Sequence, residues 1–397
     1  MDAIETWLAQ NPDPEQDPLP GMRRAGLLAP VADYAAIARG KAVLVERTGC
    51  LGIGGVWGGR QLVLRHFLGG FGSAAQQAEW SGRALSVAIS EPKVGAHPKL
   101  LTTRAEAAAG GFRISGRKAW VSDGPSADAI IVFAITREEQ GRKRYSAFLV
   151  PSDMPGLGFG EMAGFHALRP SRHCLLTLDG AVVPAAAMLG AEGGAYEAMA
   201  LPFRDIEDAV GMFGTLGALR HAVRLFAGAG AAGLGTAGLV KAGFGTAGAG
   251  TPGSAAAAVE AELGGIVALT AVLQAGAEAV VGRLDAGRLR TGDAALVGLR
   301  ILAIEILGRL RMQAPMAAAR GQDALAGLLA DLDATLSIAQ GARLARQTRL
   351  GEAALRGGAA LGGEAALGGE AAFGGEAALG GEAAGRGGAA LGGKTGG

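Results

Sequence analysis

Between about Leu85 and Gly190 the chain changes texture. The runs "GGFRISGRKAWVSDG", "ADAIIVFAIT", "RYSAFLVP" and "HCLLTLDGAVVP" are short and rich in Ile, Val, Phe and Tyr, with turn residues such as "SDG", "PSD" and "LDG" between them. β-Branched and aromatic side chains suit a pleated surface, and Gly, Asp and Pro end it, so this block predicts a meander of antiparallel strands. On both sides the spacing is helical. "DYAAIARGKAVLVERTG" and "GRQLVLRHFLGGFGSAAQQAEW" place apolar groups at three- and four-residue intervals. After Gly190, Leu325, Leu328, Leu329, Leu332 and Leu336 share one face, with Asp331 and Asp333 off it. In "ALVGLRILAIEILGRLRM", Glu305 stands four residues before Arg309 as a surface pair. The expected class is α+β, with an N-terminal helical domain (1–82), a middle antiparallel β-domain (83–190) and a C-terminal helical bundle (191–350).

Two stretches stand outside this scheme. Residues 227–255 are so rich in glycine that a stable helix is disfavoured, at about 1 kcal/mol per glycine relative to alanine. Residues 351–397 repeat a "GGEAAL"-type unit, with Leu361, Leu367, Phe373 and Leu379 recurring every six residues until Gly385 breaks the series. That spacing suits a hexapeptide β-helix, but so few units bury no core, and a low-complexity tail is expected.

Composition narrows the function. The 397 residues carry a net charge of +1, which leaves no electrostatic footprint for nucleic acid or an anionic membrane surface. Two cysteines, Cys50 and Cys174, provide no disulfide framework and suit a reducing cytoplasm; the five histidines are scattered, so no metal site is expected. The acidic, proline-rich start is unlike a targeting peptide. Mean hydropathy is +0.28, and the most apolar span, 263–281, contains Gln274 and Glu278. It reads as a buried bundle helix rather than a membrane span.

"FRDIEDAV" (203–210) interrupts an apolar run with Arg204, Asp205, Glu207 and Asp208. Acidic residues favour the first turn of any helix, Asp205 is a candidate N-cap, and Arg204 is placed to pair with Asp208. Val210, Phe213 and Gly214 follow Glu207 at i+3, i+6 and i+7, which makes its side of such a helix largely apolar.

The order of motifs is more specific than any one of them. "FGSAAQQAEW", "AISEPKVGAHPKLLTT", "GRKAWVSDG", "SAFLVPSDMPGL" and "GFHALRPSRHCLLTLDGAVVPAAAMLGAEGGAYEAM" follow one another over roughly residues 60–225. In order, spacing and residue type they resemble the acyl-CoA dehydrogenase family. The resemblance implies a helical domain, a β-domain and a four-helix bundle, with FAD between the β-domain and the bundle. It implies that Ala88, Ile89 and Ser90 line the flavin, that Trp120 and Val121 pack beside it, and that Ser122 donates toward N5, where the hydride arrives. Without it, Trp120 reads as a β-core aromatic and the serines as turn or cap residues. Where the family has Gly-x-Gly-Ser-Asp, this chain has Gly95-Ala96-His97-Pro98. A substrate-side contact at Ala96 is then a backbone one, or His97 and Lys99 take a phosphate, or His97 is a solvated loop residue.

The reaction of that fold removes an α-proton from an acyl thioester, which needs a carboxylate of raised pKa. "RDIEDAVGMFGTLGAL" matches the arrangement of isovaleryl-CoA dehydrogenases, which puts Glu207 on the catalytic base and Asp205 on a substrate contact. The position after the base, arginine in the family, is Asp208. The family's Arg-x-x-Phe-Gly motif has no counterpart in the glycine-rich 227–255 stretch. The resemblance further implies an acyl-CoA substrate, an electron-transferring flavoprotein as acceptor, and a homodimer or homotetramer. A non-catalytic relative acting as a binding or scaffold protein, and a same-fold flavin monooxygenase, are the alternatives.

Overall fold

The computed structural model describes residues 2–11, 18–231, 252–318, 323–338 and 340–355. Most of the 227–255 stretch and nearly all of the 351–397 repeat, including Leu361, Leu367, Phe373 and Leu379, lie outside the described residues.

Helices α1 (Asp2–Gln10), α2 (Leu19–Arg24), α3 (Tyr34–Thr48), α4 (Leu51–Val63) and α5 (Ala74–Trp80) precede the sheet. The chain ends of α3 follow simple capping rules: the Asp33 side chain accepts from the Ala36 N–H, and Gly49 closes the helix at φ +70°. "GSAAQ" proves to be a helix start. Ser73 caps α5 in a reciprocal capping box with Gln76, whose Nε2 also donates to the carbonyls of Ala186 and Met188.

Eight strands follow: β1 (Leu85–Ala88), β2 (Arg104–Ala108), β3 (Gly111–Ser122), β4 (Ala129–Glu139), β5 (Arg142–Pro151), β6 (Leu157–Glu161), β7 (His173–Pro184) and β8 (Met188–Leu189). Their order in the sheet is β6-β7-β3-β2-β4-β5-β8, and β1 pairs with β4. The sheet is mixed rather than wholly antiparallel. β1 runs parallel to β4, and β2 touches β4 in parallel at Arg104↔Ile135. The β2–β3 hairpin lies within the 89–128 connection and makes it long enough for a parallel return.

Burial explains the strand sequences. In β4, Ile131, Phe133 and Ile135 face the core shared with the helices, while Ile130, Val132 and Ala134 face a second core inside the β-domain. A strand buried on both faces reads as an unbroken apolar run, as "AIIVFAIT" does. β7, half-buried, alternates instead.

A π-turn, Tyr196–Ala200, leads directly into α6 (Leu201–Ala231), followed by α7 (Pro252–Asp285), α8 (Ala294–Ala318), α9 (Asp323–Ser337) and α10 (Gln340–Leu355). The five leucines expected on one face of α9 are all buried, and Glu305 pairs with Arg309 at 3.0 Å. α6 lies close against α3 because Gly217 has no side chain; a Cβ there would stand 2.5 Å from the Ala42 carbonyl. Within α7, Ala257–Asp285 is long and apolar enough to cross a membrane by length and composition. It packs on α6 and α8 through Ile266, Leu273, Ala277 and Val280, but Val267 and Val272 are exposed. It is thus an outer bundle helix with one covered face, not the fully buried one expected.

Two buried ion pairs tie these layers together. Lys118 of β3 reaches Glu91 at 3.1 Å and also donates to the Ile89 carbonyl. The same carboxylate accepts from the backbone and hydroxyl groups of Thr102 and Thr103. Burial by itself would raise the Glu91 carboxyl; the Lys118 charge and the threonine hydrogen bonds override it and hold it at about 2. Burial brings Lys118 down to about 8, still ionised at neutral pH. The second pair joins Arg60 of α4 to Asp123 at 3.2 Å.

Lys118→Met leaves the Glu91 carboxylate buried without its counter-ion, and should cost about 3–5 kcal/mol in denaturant unfolding at pH 7. Because the folded pKa of Glu91 is depressed, its contribution is present above the ordinary value of 4.5 and is lost as pH falls toward about 2. The gap between wild type and variant should therefore narrow over that acid range.

Candidate active site

The segments 88–90 and 120–122 come together at the edge of the β-domain. The Ala119 N–H donates to the Ser90 carbonyl at 2.9 Å, and Ser86 Oγ donates to the Ser122 carbonyl at 2.7 Å. Asp123 anchors the turn that follows. It sits in the left-handed region at φ +53° and accepts from Arg60, Ser171 Oγ and the Arg172 N–H. Pairing of β3 with β7 is interrupted by a bulge between Lys118 and Val121, and Trp120 in it takes φ +60°. Bulges re-aim side chains, and a bulky residue at positive φ is held there by its surroundings.

The consequence is a division within each triplet. Ala88 and Val121 are buried in the β-domain core. Trp120 joins neither core and stands half-buried, edge-on to Phe165 and His173 at 5.1 and 5.7 Å between ring centres. The hydroxyls of Ser90 and Ser122 make no hydrogen bond to the protein among the described residues. An aromatic wall outside the core with two free hydroxyls beside it fits a flat heteroaromatic ring that needs one apolar face and polar partners at its edge. These residues therefore fit FAD. Any phosphate contact from the 232–251 stretch lies outside the described residues.

The Ala96 carbonyl accepts from Tyr196 Oη at 2.6 Å, so this residue ties its loop to the entry of α6.

Glu207 lies in the second turn of α6, which continues the π-turn that starts at Tyr196, so Asp205 is not an N-cap. A cavity of about 400 Å³ opens between α6, α8, α9 and α10, lined by Glu207, Gly211 and apolar side chains that include Met212, Ile301, Ile304 and Leu336. Glu207 lines this space, and its side chain is exposed to it. Its carboxylate has no hydrogen-bond or ion-pair partner among the described residues. Burial raises it to about 7, Asp208 adds to the rise, and Lys41, Arg343 and Arg204 pull against it.

Neighbouring charges are committed elsewhere. Asp208 pairs with Arg343 and Arg346 of α10, partners that a pairing along its own helix does not include. Asp205 is buried, faces Arg346 at 2.7 Å and accepts the Gly292 N–H at 3.1 Å. It does not line the cavity. Lys41 comes from α3, on the other side of α6. Its stem runs against Gly58 and Gly214, where an added Cβ would stand 3.1 and 2.9 Å from it. Burial lowers the Lys41 pKa while Glu207 draws it up.

A family model described as "Acyl-CoA dehydrogenase, middle domain" matches residues 86–181. These residues are similar to the middle domain of that family. Over 135 residues the chain is 33% identical to the mitochondrial isovaleryl-CoA dehydrogenase of Oryza sativa subsp. japonica, a stretch that spans 32% of this chain and 33% of that protein. The chain thus matches about a third of the length of this curated relative. Among solved structures, a glutaryl-CoA dehydrogenase from Mycobacterium smegmatis in complex with FADH2 has a TM-score of 0.68 at 19% identity, covering 90% of this chain and 95% of that one. The dibenzothiophene monooxygenase TdsC from Paenibacillus sp. A11-2 has a TM-score of 0.69 at 20% identity, covering 90% and 96%. These likenesses show that the acyl-CoA dehydrogenase fold extends over the helical domains as well.

Set on that fold, the residues named from sequence form two groups. Residues 88–90 and 120–122 meet directly, whereas Glu207 makes no hydrogen bond or ion pair with either. Lys41, Arg343 and Arg346 were not found by sequence reasoning. The three-residue spacing of "RLAR" was the available signal for the arginine pair; a lone lysine in α3 carried none.

A carboxyl that changes charge near neutrality has a direct readout. The infrared spectrum of wild type minus Glu207→Gln should show a protonated-carboxyl band below about pH 7 that fades above it. A band confined to acid pH would contradict the raised pKa.

Proposed function

We propose that this chain is a FAD-dependent acyl-CoA dehydrogenase, with Glu207 as the base that removes the α-proton of an acyl thioester. The observation that carries this reading is the unpaired carboxylate of raised pKa in a cavity whose wall combines apolar side chains such as Met212, Ile301, Ile304 and Leu336 with arginines of α8 and α10. A base is most effective when its pKa lies near the working pH, and about 7 meets that condition for Glu207. Burial strengthens its electrostatic effect, and the apolar part of the wall suits an alkyl chain. Ser90, Trp120 and Ser122 would hold the flavin, which supplies the hydride acceptor when bound.

Lys41, Arg343 and Arg204 limit the rise in the Glu207 pKa, so the base is partly ionised at neutral pH. Both aspartates beside it are engaged by α10, which leaves Glu207 as the one free carboxylate of the cluster. An electron-transferring flavoprotein is the proposed electron acceptor. The uncovered apolar positions on α7 are consistent with a homo-oligomer.

The purified protein should be yellow, and anaerobic addition of a suitable acyl-CoA should bleach it. Glu207→Gln should keep the colour and lose bleaching by about 10²–10⁴-fold. The wild-type rate should fall on the acid side of about pH 7, where Glu207 takes up its proton. Unimpaired bleaching in Glu207→Gln removes the assignment. Oxygen uptake with supplied reduced flavin and no acyl-CoA would instead favour monooxygenase chemistry on the same fold.

A further inference from the structure

Three carboxylates fall within four residues of α6: Asp205, Glu207 and Asp208. Placed this close together, such a cluster repels itself, and each negative neighbour favours protonation of the others. The opposing charge comes from more than one hundred and thirty residues away, on α10. Arg343 and Arg346 are three positions apart and share a face of that helix. Arg343 Nη2 meets Asp208 Oδ1 at 2.8 Å, and Arg346 Nη1 meets Asp208 Oδ2 at 3.3 Å. Arg346 Nη2 also holds Asp205 Oδ1 at 2.7 Å, in a pair with side-chain exposures of only 9% and 4%. The other Asp205 oxygen is taken by the Gly292 N–H at the approach to α8.

The clamp therefore grips α6 on both sides of Glu207 in sequence without touching Glu207. α10 also contributes Arg343, Leu344, Arg346 and Gln347 to the wall of the cavity. Seating this one helix closes the cavity and neutralises the aspartates in the same movement.

We propose that Arg343 and Arg346 of α10 are positioning residues for Glu207, offsetting the aspartates on either side of it and fixing the turn that presents it. The proposal rests on the reading of Glu207 as the base. Other charges face the same carboxylate: Arg204 on its own helix and Lys41 from α3. Across the cavity stand Arg300 of α8 and the Arg311–Asp333 pair between α8 and α9. Lys41, Arg300 and Arg311 form no ion pair with Asp205 or Asp208 among the described residues, so the clamp is separable from them by mutation.

Arg343 is the better target, because it is more exposed than Arg346 and its loss leaves the Asp205–Arg346 pair intact. In the full-length flavin-loaded protein, Arg343→Gln should move the acid limb of acyl-CoA-driven bleaching upward by roughly one pH unit. The sign follows from the charge: Arg343 favours the ionised form of Glu207, so its removal raises the pKa and extends the protonated range. The rate at pH 7 should drop about three- to tenfold, with the plateau at high pH within about twofold of wild type. Arg343→Lys should restore most of the limb. Asp208→Asn added to Arg343→Gln should bring it back toward wild type, since opposing influences are then both removed.

The infrared band of Glu207 should shift with the limb, and it reports without turnover. A protein that fails to bleach in any form refutes the reading of the base, while a moving band would still support the clamp. An unmoved band and limb in Arg343→Gln, or an equal loss of rate at every pH, would overturn the proposal.

Discussion

Glu91 and Lys118 form the contact on which the cofactor side of the molecule depends. Lys118 is fully buried and its ammonium lies between the Glu91 carboxylate and the Ile89 carbonyl. That single group fixes the end of β1 to β3, and with them the relation of residues 88–90 to residues 120–122. Taking two charges out of water is costly, and a hydrophobic pair of similar size often does as well for stability alone. What the ion pair adds here is register. It joins strands that are not consecutive in the sheet path, and its five remaining hydrogen bonds specify one arrangement of the connecting loop. Arg60 and Asp123 do the same at the far end of the bulge, with a helix of the N-terminal domain as the anchor.

The surroundings of Glu207 are organised differently. Glu207 is kept without a partner while every carboxylate beside it has one. Desolvation by the packed helices and the Asp208 charge raise its pKa; the surrounding cations stop the rise at about 7. Neither effect alone would serve. A fully paired Glu207 would be a weak base held in its ionised form, and one enclosed among free aspartates would stay protonated. The balance needs cations from α3 and α10 at once, so it exists only when the N-terminal domain and the last described helix are both packed on α6.

The β-domain was readable because its strands carry local signals. An unbroken apolar run marks β4, alternation marks β7, and "SDG" marks the turn after β3. Parallel pairing of β1 with β4 left no such trace, since register across a long crossover is a tertiary choice. Near Glu207 the charge pattern suggested a helix start and a local Arg204–Asp208 pair. The helical run in fact begins at Tyr196 as a π-turn, and Pro202 falls at the second position of α6, directly after it. Asp205 and Asp208 then lie well inside the helix and are satisfied from α10, a partner that i,i+4 reasoning along α6 cannot reveal.

The same contrast bears on where similarity to the family is retained. Matching sequence is concentrated in residues 86–181, while the fold extends over 90% of the chain at about one residue in five identical. A flavin-facing edge places narrow demands on particular positions: a residue that tolerates positive φ in a bulge, small hydroxyl side chains, a buried lysine at one point of β3. A helical bundle asks mainly for apolar groups at the right period, which many sequences meet. Its polar contacts can be redistributed provided the total charge near Glu207 is kept in balance. An aspartate directly after Glu207 is compatible with that balance here because arginines approach from α10. The charge balance around Glu207 is therefore met by residues of another helix.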